Sequence, residues 1–429
     1  MSLRLPRVED FPQAGRGPRT TARVGTWLGL AFGICFLTGL WSHVQQTPPA
    51  WLTLPTDPAW LYRVTQGIHV IAGTAAVPLL LVKLWSVFPR LFVRPPRERV
   101  ALMLHGLERL SILALVAAGI FQLASGLTNI VQWYPWSFSF RATHYAVAWL
   151  AIGALLVHLA VKWPTIRAAY ARAPVEPAPP VEARAERAIE TPTPPTAPLV
   201  EARAERAIET PTPTTPSVEA RAERAIETPT PPTDDATTRR AVLTATGVAS
   251  ALAVVLTAGQ TVPWLRRVSV LAVRSGDGPQ DLPVNRTAAQ AGVTVPDDWT
   301  LEIVHGTTSR TLTRDDLAAM PQSTERLPIA CVEGWSRSAD WTGVPVRALL
   351  ATVGAPPDTD VRVTSLQTRG AFASSDLPAP FAADERTLLA LRLNGTELDL
   401  DHGFPCRLIA PNRPGVRQTK WVTRIEVAA

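Results

Sequence analysis

Hydrophobic residues along this chain are gathered into long, nearly uninterrupted runs that alternate with polar stretches. A membrane-spanning helix needs about 20 mostly apolar residues, and five runs reach that length: Val24–Val44, Val64–Phe88, Ala101–Ile130, Ala142–Trp163 and Ala241–Leu265. After Leu265 the apolar runs become short, as in a soluble domain of strands and short helices. The pattern predicts a membrane α-helical bundle of four spans plus one anchor span, followed by an α+β mixed domain.

Arginine and lysine residues are concentrated in alternate loops. They stand before the first span, between spans two and three, and after span four, whereas residues 42–62 and 131–140 contain neither. The positive-inside rule then places the N-terminus in the cytoplasm and the C-terminal domain outside. This topology explains the formal net charge of +6, so we expect membrane lipid around the chain and no nucleic acid partner.

Residues 171–237 contain a repeated segment that is rich in Pro, Thr, Ala and Glu. The sequence VEARAERAIETPTP begins at Val181, Val200 and Val218. Each unit has too few apolar residues to bury a core, and its prolines end any helix. We therefore predict a disordered cytoplasmic linker; a solenoid, which a repeat can also indicate, is the alternative.

Four histidines of the first four spans are matched in depth. Ionisable side chains within spans are costly and are candidates for function. His144 and His158 are 14 residues apart on span four, which places them on one helix face and roughly 21 Å apart along the axis. His69 lies level with His144, and His105 lies level with His158. The sequence predicts two bis-histidine sites, His69/His144 near the outer face and His105/His158 near the inner face.

This placement resembles that of di-haem b-type cytochromes, in which two imidazoles bind each low-spin iron. The resemblance implies two haem b groups with the four histidines as iron ligands. For each histidine alone, the alternative is a polar anchor at the membrane interface. His43 is interpreted as such an anchor, although it could replace His69 as a ligand.

The C-terminal domain carries a further set of motifs. The chain has three cysteines and no CxxC pair, so neither a disulfide framework nor a zinc site of the usual spacing is indicated. Cys331 stands in the segment Ile329-Ala-Cys331-Val-Glu-Gly-Trp335, and Trp341-Thr-Gly343-Val-Pro345 follows it. Later segments are Asn394-Gly395, Leu400-Asp-His402-Gly403-Phe-Pro405-Cys-Arg407 and Lys420-Trp421.

In order and spacing these motifs resemble the molybdopterin-binding domain of the sulfite oxidase superfamily, which includes the catalytic subunit of periplasmic methionine sulfoxide reductases. The resemblance covers roughly residues 281–427 and implies Mo-molybdopterin, with Cys331 as the catalytic thiolate ligand of molybdenum; a soft thiolate suits such a metal. It also implies cofactor contacts from Asn285, Arg286, His402, Arg407, Gln418, Thr419 and Lys420, the contacts of Gln418 and Thr419 being through the backbone. The alternatives are that Cys331 is an inert buried thiol and that Arg286 and Lys420 are solvated surface charges. Cys406 lacks these flanks and is interpreted as a core residue.

Paired arginines open the fifth span, in Thr238-Arg239-Arg240-Ala241. They resemble a twin-arginine signal, an export route suited to a domain that folds around its cofactor before it crosses the membrane. Ordinary positive-inside flanking is the alternative. The resemblance implies a multi-pass protein of the bacterial cell membrane, with a cytoplasmic N-terminus and linker and an extracytoplasmic C-terminal domain.

The chain is thus expected to have five parts. They are a cytoplasmic tail, a four-span haem-binding-like domain, a linker, a twin-arginine-like signal anchor and an exported molybdopterin-binding domain, over residues 1–23, 24–170, 171–237, 238–265 and 266–429.

The implied function is that of a membrane-bound molybdopterin-dependent oxidoreductase. It would act on a small-molecule substrate by oxygen-atom transfer and exchange electrons through its haems with membrane quinone or quinol, or with another redox partner. S-oxide or N-oxide reduction and sulfite-type oxidation are both open. The alternative is a non-catalytic haem electron-transfer or sensory membrane protein whose exported domain contains no molybdenum.

Overall fold

The computed structural model describes residues 6–171, 236–273 and 278–428. The predicted linker over 171–237 therefore lies outside the described residues, apart from its two ends.

Five long helices form the N-terminal part and the anchor. Their bounds are α1 Pro18–Gln46, α2 Leu61–Val87, α3 Arg99–Ile130, α4 Phe140–Tyr170 and α5 Ala236–Thr257. All five are long and apolar enough to cross a membrane. Large apolar side chains such as Leu110, Leu150 and Leu156 are exposed on their outer surfaces, which is expected of helices that face lipid. Within the bundle, α1 packs along α2 and α4, α3 along α4, and α5 along α2.

The fifth span is shorter than the sequence predicted. Its α-helix ends at Thr257 instead of continuing to Leu265, and two 3-10 turns follow, Ala258–Gln260 and Pro263–Leu265. Pro263 has no N–H group with which to continue the helix. The N–H of Gly259 donates instead to the hydroxyl of Ser269, at 2.8 Å. The chain turns here and places the 3-10 turns against the C-terminal domain.

The C-terminal domain has ten described strands in two five-stranded sheets, with strand orders β2-β1-β10-β5-β6 and β3-β4-β7-β8, β9 pairing with β7. The strands are β1 Thr300–His305, β2 Thr308–Thr313, β3 Ser323–Ala330, β4 Ser336–Pro345, β5 Val361–Ser365, β6 Ser374–Leu377, β7 Leu388–Leu393, β8 Thr396–Glu397, β9 Arg407–Ile409 and β10 Val422–Val427. The short helices are α6 Ala288–Ala291, α7 Arg314–Ala319, α8 Val346–Ala351 and α9 Ala379–Ala383. The predicted mixed α+β class is confirmed.

Two large apolar clusters, and a smaller one that contains Trp421, fill this domain. The first includes Ile303 and Leu349, and the second includes Trp335 and Trp341. Cys406 packs fully buried in the first cluster, and burial raises the pKa of its thiol. The interpretation of this cysteine as a core residue is confirmed.

The C-terminal domain is docked onto one end of the helical bundle. Asn412 bridges the two parts: its side-chain oxygen accepts from the N–H of Tyr62 at 2.9 Å, and its amide donates to the carbonyl of Pro55 at 2.8 Å. Tyr62 lies in the first turn of α2, whose own N-cap residue, Trp60, makes no side-chain cap bond. Asn412 therefore supplies that helix with a cap from the other domain. The docked end is the one where residues 42–62 and 131–140 contain neither Lys nor Arg.

Candidate functional site

Cys331 lies in the tight loop that joins β3 to β4. The last paired residues are Ala330 and Ser336, so residues 331–335 form the whole connection. The N–H of Cys331 donates to the carbonyl of Trp335 at 2.9 Å, and the N–H of Gly334 donates to the carbonyl of Cys331 at 3.0 Å. Gly334 has φ +91°, a left-handed conformation that favours glycine. Cys331 itself is buried.

The ends of the membrane helices hold this loop. The side chain of Asn129, at the end of α3, donates to the carbonyl of Val332 at 2.9 Å, and Gln66 of α2 donates to the same oxygen at 3.5 Å. Gln132 donates to the carboxylate of Glu333, and Thr261 donates to the carbonyl of Gly334. The candidate molybdenum ligand is therefore fixed by residues of both domains.

Several of the predicted cofactor contacts are bonded to one another's segments, and one of them, Lys420, lies within electrostatic range of Cys331. Lys420 Nζ donates to the carbonyls of Arg286 and Asp401, at 2.7 and 2.8 Å. Arg407 donates to the carbonyls of His402 and Gln418, at 3.0 and 3.4 Å. These bonds link β9 and the segment before β10 to the segment that carries Arg286.

Three of the predicted contacts have their polar side-chain or backbone groups engaged within the protein. The amide of Gln418 exchanges two bonds with the backbone of Ala410, both at 2.8 Å. The hydroxyl of Thr419 lies 2.6 Å from that of Ser375. The carbonyl of Asn285 accepts from Gln132 at 2.9 Å. Since the Gln418 and Thr419 side chains are already bonded, contacts of these two residues with a cofactor would come from the backbone.

Burial sets the charges of this region. It lowers the pKa of Lys420 to about 7, helped by the positive charge of Arg407, while the nearby Cys331 and Glu333 act in the opposite direction. Burial also lowers the pKa of Arg407 to about 9. Burial and then the charge of Arg407 lower the pKa of His402 to about 4, so this imidazole is neutral near pH 7. A bound anion would restore the full positive charge of Lys420.

Several buried polar atoms around Cys331 have no partner among the described residues. They are Nε of Arg286, Nε of Arg407, the hydroxyl of Ser336 and both amide atoms of Gln260. Gln260 adjoins the Cys331 loop, because its amide nitrogen lies 3.3 Å from where a Cβ of Gly334 would stand. Buried donors of this kind ordinarily have an acceptor. A cofactor rich in oxygen and nitrogen atoms, with a phosphate, fits such a set of donors.

A cavity of about 310 Å³ lies within the bundle and is lined by His69 and His144. Their ring centres are 6.3 Å apart. A metal bonded midway between two imidazole nitrogens would separate the ring centres by roughly 6 Å. Gly39 also lines the cavity, and because a Cβ there would stand 3.0 Å from Cε1 of His69, the glycine makes room for that imidazole.

Hydrogen bonds orient both imidazoles towards this cavity. Nδ1 of His69 lies 2.9 Å from the carbonyl oxygen of Cys35, so Nδ1 carries the proton and Nε2 keeps its lone pair. Nδ1 of His144 lies 2.9 Å from the hydroxyl of Ser125. Partners of this kind commonly fix the orientation of metal-bound histidines. The residues therefore fit a haem iron bound by two imidazoles.

His105 and His158 are not brought together in this way. No ring contact joins them among the described residues, and neither lines the cavity. Each lies within electrostatic range of Glu108, which forms an ion pair with Lys162. His43 stacks on Tyr145, with ring centres 3.7 Å apart, and lines the same cavity as His69. The inner haem site stays a prediction.

Sequence reasoning missed the residues by which the bundle contacts the Cys331 loop. They are Gln66, Asn129, Gln132 and Thr261. Gln66 and Asn129 stand as polar residues inside long apolar runs, a pattern that usually indicates function in a span. That signal was present for both.

Comparison with known proteins identifies the C-terminal domain. Residues 288–429 match the family model of the oxidoreductase molybdopterin binding domain. Mitochondrial sulfite oxidase of Drosophila melanogaster is 31% identical, over 35% of this chain and 30% of that protein. The putative protein-methionine-sulfoxide reductase subunit YedZ1 of Azospira oryzae is 32% identical, over 27% of this chain and 43% of that protein. The chain thus spans less than half the length of these relatives.

Among solved structures, the sulfane dehydrogenase SoxCD of Paracoccus pantotrophus matches 32% of this chain and 39% of its own, at 23% identity. Its TM-score is 0.28, too low to support an argument about shared structure. Residues 288–429 therefore match the oxidoreductase molybdopterin binding domain, and in this chain they follow helices that are long and apolar enough to span a membrane.

Proposed function

We propose that this chain is a membrane-bound, molybdopterin-dependent oxidoreductase whose external site exchanges electrons with haem held by His69 and His144. One observation carries the proposal. Val332 directly follows Cys331 and also lines the histidine cavity. The candidate molybdenum ligand and the candidate haem site are therefore separated by a single residue of the loop.

Each candidate residue has a defined part in this function. Bound molybdopterin would supply oxygen-atom transfer, and bound haem would supply one-electron transfer. The Cys331 thiolate would bind molybdenum. Asn285, Arg286, His402, Arg407 and Lys420, with the backbone of Gln418 and Thr419, would hold the pterin and its phosphate. His69 and His144 would bind iron through Nε2, and His105 and His158 would hold a second haem.

The arrangement of charges supports an extracytoplasmic C-terminal domain in a bacterial cell membrane. Arg16 stacks over Trp85, 4.6 Å from its ring centre, and Arg19 donates to the carbonyl of Ala171 at 3.1 Å, both at the end of the bundle away from the docked domain. Arg239 and Arg240 lie beside Arg23 at that end. This is the distribution that the positive-inside rule expects, and it leaves the arginine pair on the side where a twin-arginine signal is read.

The substrate is a small molecule that accepts or gives up an oxygen atom. We favour reduction of an S-oxide or N-oxide, with electrons from membrane quinol, because a fused helical domain suits electron supply from the membrane. One relative carries the name of a methionine sulfoxide reductase subunit. Sulfite-type oxidation, after the name of the other relative, is the second candidate.

The decisive test is the pair of substitutions Cys331→Ser and Cys406→Ser in the purified full chain. Both cysteines are buried, so both variants lose a similar packing contact. We expect Cys331→Ser to abolish sulfoxide reduction and sulfite oxidation while the haem spectrum is unchanged. Cys406→Ser should keep turnover, at some loss of thermal stability.

Measurement of the molybdenum and iron content of the same preparations provides a result that could contradict the proposal. Protein that contains haem but no molybdenum, or a Cys331→Ser variant with full turnover, would contradict the proposal. The first result would favour the non-catalytic electron-transfer or sensory protein.

A further inference from the structure

Two arginines from different domains meet at the end of α1. Arg141, in the first turn of α4, donates to the side-chain oxygen of Gln46 at 2.8 Å. Arg417, from the segment before β10, donates through Nε to the backbone carbonyl of the same residue at 2.7 Å. Gln46 is buried, and both guanidinium groups are half-buried. A single glutamine thus holds two cations close together at the seam between the domains.

The positive charge of this pair is only partly offset by a carboxylate, since Asp376 attracts Arg417 without forming an ion pair with it. Among the described residues no ion pair involves Arg141 or Arg417, and the charge of each repels the other. Arg413 adds a third cation next to Arg417, and burial followed by that charge lowers its pKa to about 9. Asp376 is an acidic residue whose charge acts on both Arg413 and Arg417, but its carboxylate bonds to Arg362 at 3.1 Å.

Donors remain available on these cations. Nη1 of Arg413 is buried without a partner among the described residues, and Arg413 is only 6% exposed. The described bonds of Arg141 use Nη1 alone, and its guanidinium packs over the ring of Phe372, 4.5 Å from the ring centre. Arginine that is desolvated in this way without an anionic partner is costly. An anion at this position would remove that cost.

The position of Arg141 connects the pair to the histidine cavity. Arg141, Gln46 and Ser139 all line that cavity. Ser139 is the N-cap of α4 and makes no side-chain cap bond, so the N–H groups of the first turn add to the local positive potential. The cations therefore stand where an anionic group in the cavity or at its mouth would come close to them.

We propose that Arg141 and Arg417, held by Gln46, form a binding site for a carboxylate or small oxyanion at the seam between the two domains. Two sources share this chemistry. One is a propionate of haem bound by His69 and His144, and only this source rests on the proposed function. The other is a free oxyanion such as sulfate or sulfite. Arginine suits either, since its planar fork matches two oxygens at once.

The test compares Arg141→Gln and Arg417→Gln with Arg63→Gln in the purified full chain. Arg63 is a matched control, because it also donates one bond across the seam, to Ser338 Oγ at 3.0 Å, and does not line the cavity. Two quantities are measured on each protein: sulfate affinity by titration calorimetry, and haem content with the midpoint potential of the haem.

If the ligand is a free oxyanion, sulfate binds the unmodified chain, and each of the two variants weakens its binding by about tenfold or more; Arg63→Gln does not. If the ligand is a propionate, Arg141→Gln lowers haem retention or shifts the midpoint potential, and sulfate does not bind. Arg141→Lys keeps the positive charge but loses the planar guanidinium. Its sulfate affinity or haem retention should lie between the values for the unmodified chain and for Arg141→Gln.

The site would be overturned if Arg141→Gln and Arg417→Gln had the same sulfate affinity, haem content and midpoint potential as Arg63→Gln. A preparation without haem or molybdenum would count against the proposed function instead. In that preparation the sulfate titration alone tests the site between the domains. If sulfate does not bind there, the site is overturned as well.

Discussion

The outer and inner histidine pairs occupy comparable places on the helices, yet only one of them is organised as a ligand pair. His69 and His144 face each other with ring centres 6.3 Å apart, and the Nδ1 atom of each lies within hydrogen-bonding distance of a neighbouring helix. His105 and His158 lie near the Glu108–Lys162 ion pair instead. If the proposed function holds, the difference indicates that matched depth alone is not enough for a haem site, and that hydrogen bonds which orient the imidazoles are needed as well.

The largest expected effect is that of His144→Ala. On the proposed function, loss of one of the two histidines that would bind iron should remove the outer haem and reduce electron supply to the external site to background, while molybdenum content is unchanged. His158→Ala is the paired variant for the inner site. Haem-to-protein ratios and quinol-dependent turnover give the measurement. If haem content falls with His158→Ala and not with His144→Ala, the inner histidine pair and not the outer one binds haem.

A smaller effect is expected from Gly334→Ala, which displaces the Cys331 loop from the outer site. A Cβ at Gly334 would stand 2.8 Å from Val70 Cγ2 of α2, and its φ of +91° disfavours any side chain. A shift of about 1 Å in such a position typically slows a reaction by up to roughly a hundredfold. Haem reoxidation after substrate addition, followed by stopped flow, should slow accordingly.

Gly306→Ala is the matched control for that variant. Gly306 also has positive φ, at +58°, but a Cβ there meets nothing within 4 Å. It therefore adds backbone strain without moving the loop. Equal slowing in both variants would mean that general destabilisation, and not the contact with α2, controls the rate.

The smallest effect is expected from Asn129→Ala. The carbonyl of Val332 would lose its 2.9 Å bond and keep only the 3.5 Å contact with Gln66. A buried acceptor left unsatisfied costs about 1–3 kcal/mol, so the melting temperature of the docked domain should fall by a few degrees. Thr128→Ala, whose hydroxyl bonds within its own helix to Ser125 at 3.0 Å, should have no such effect in calorimetry. Equal melting temperatures for the two variants would mean that the Asn129 bond does not stabilise the docked domain.

Local patterns predicted much of the fold. The spans were found because lipid requires long apolar runs. The short β-type runs Val361–Ser365 and Arg407–Ile409 predict two strands, and β5 and β9 have these bounds. The strands on either side of Cys331 were missed. β3 contains Thr324, Glu325 and Arg326, and β4 contains Ser336 and Asp340, so neither shows the simple alternation of a half-buried strand.

The contacts between domains were beyond the reach of any local pattern. The motifs around Cys331 and Lys420 predicted residues that the structure brings together. Each motif is a short continuous segment that can be recognised in the sequence by itself. Arg141 and Arg417 are far apart in the sequence and belong to separate domains, and the polarity of Gln46 gives no hint that it bonds to both. Periodicity reports which face of an element is buried, but not which other element covers it.

The cap that Asn412 provides has a consequence for how the protein is assembled. The first N–H groups of a helix need acceptors, and a good cap is worth about 1 kcal/mol. For α2, the helix that carries His69, that acceptor comes from a residue 350 positions later in the chain. The first turn of this helix therefore becomes complete only after the C-terminal domain has been made, folded and docked. Maturation of the two halves is therefore expected to be coupled in time, because the helix that carries His69 receives its cap from the domain that carries Cys331.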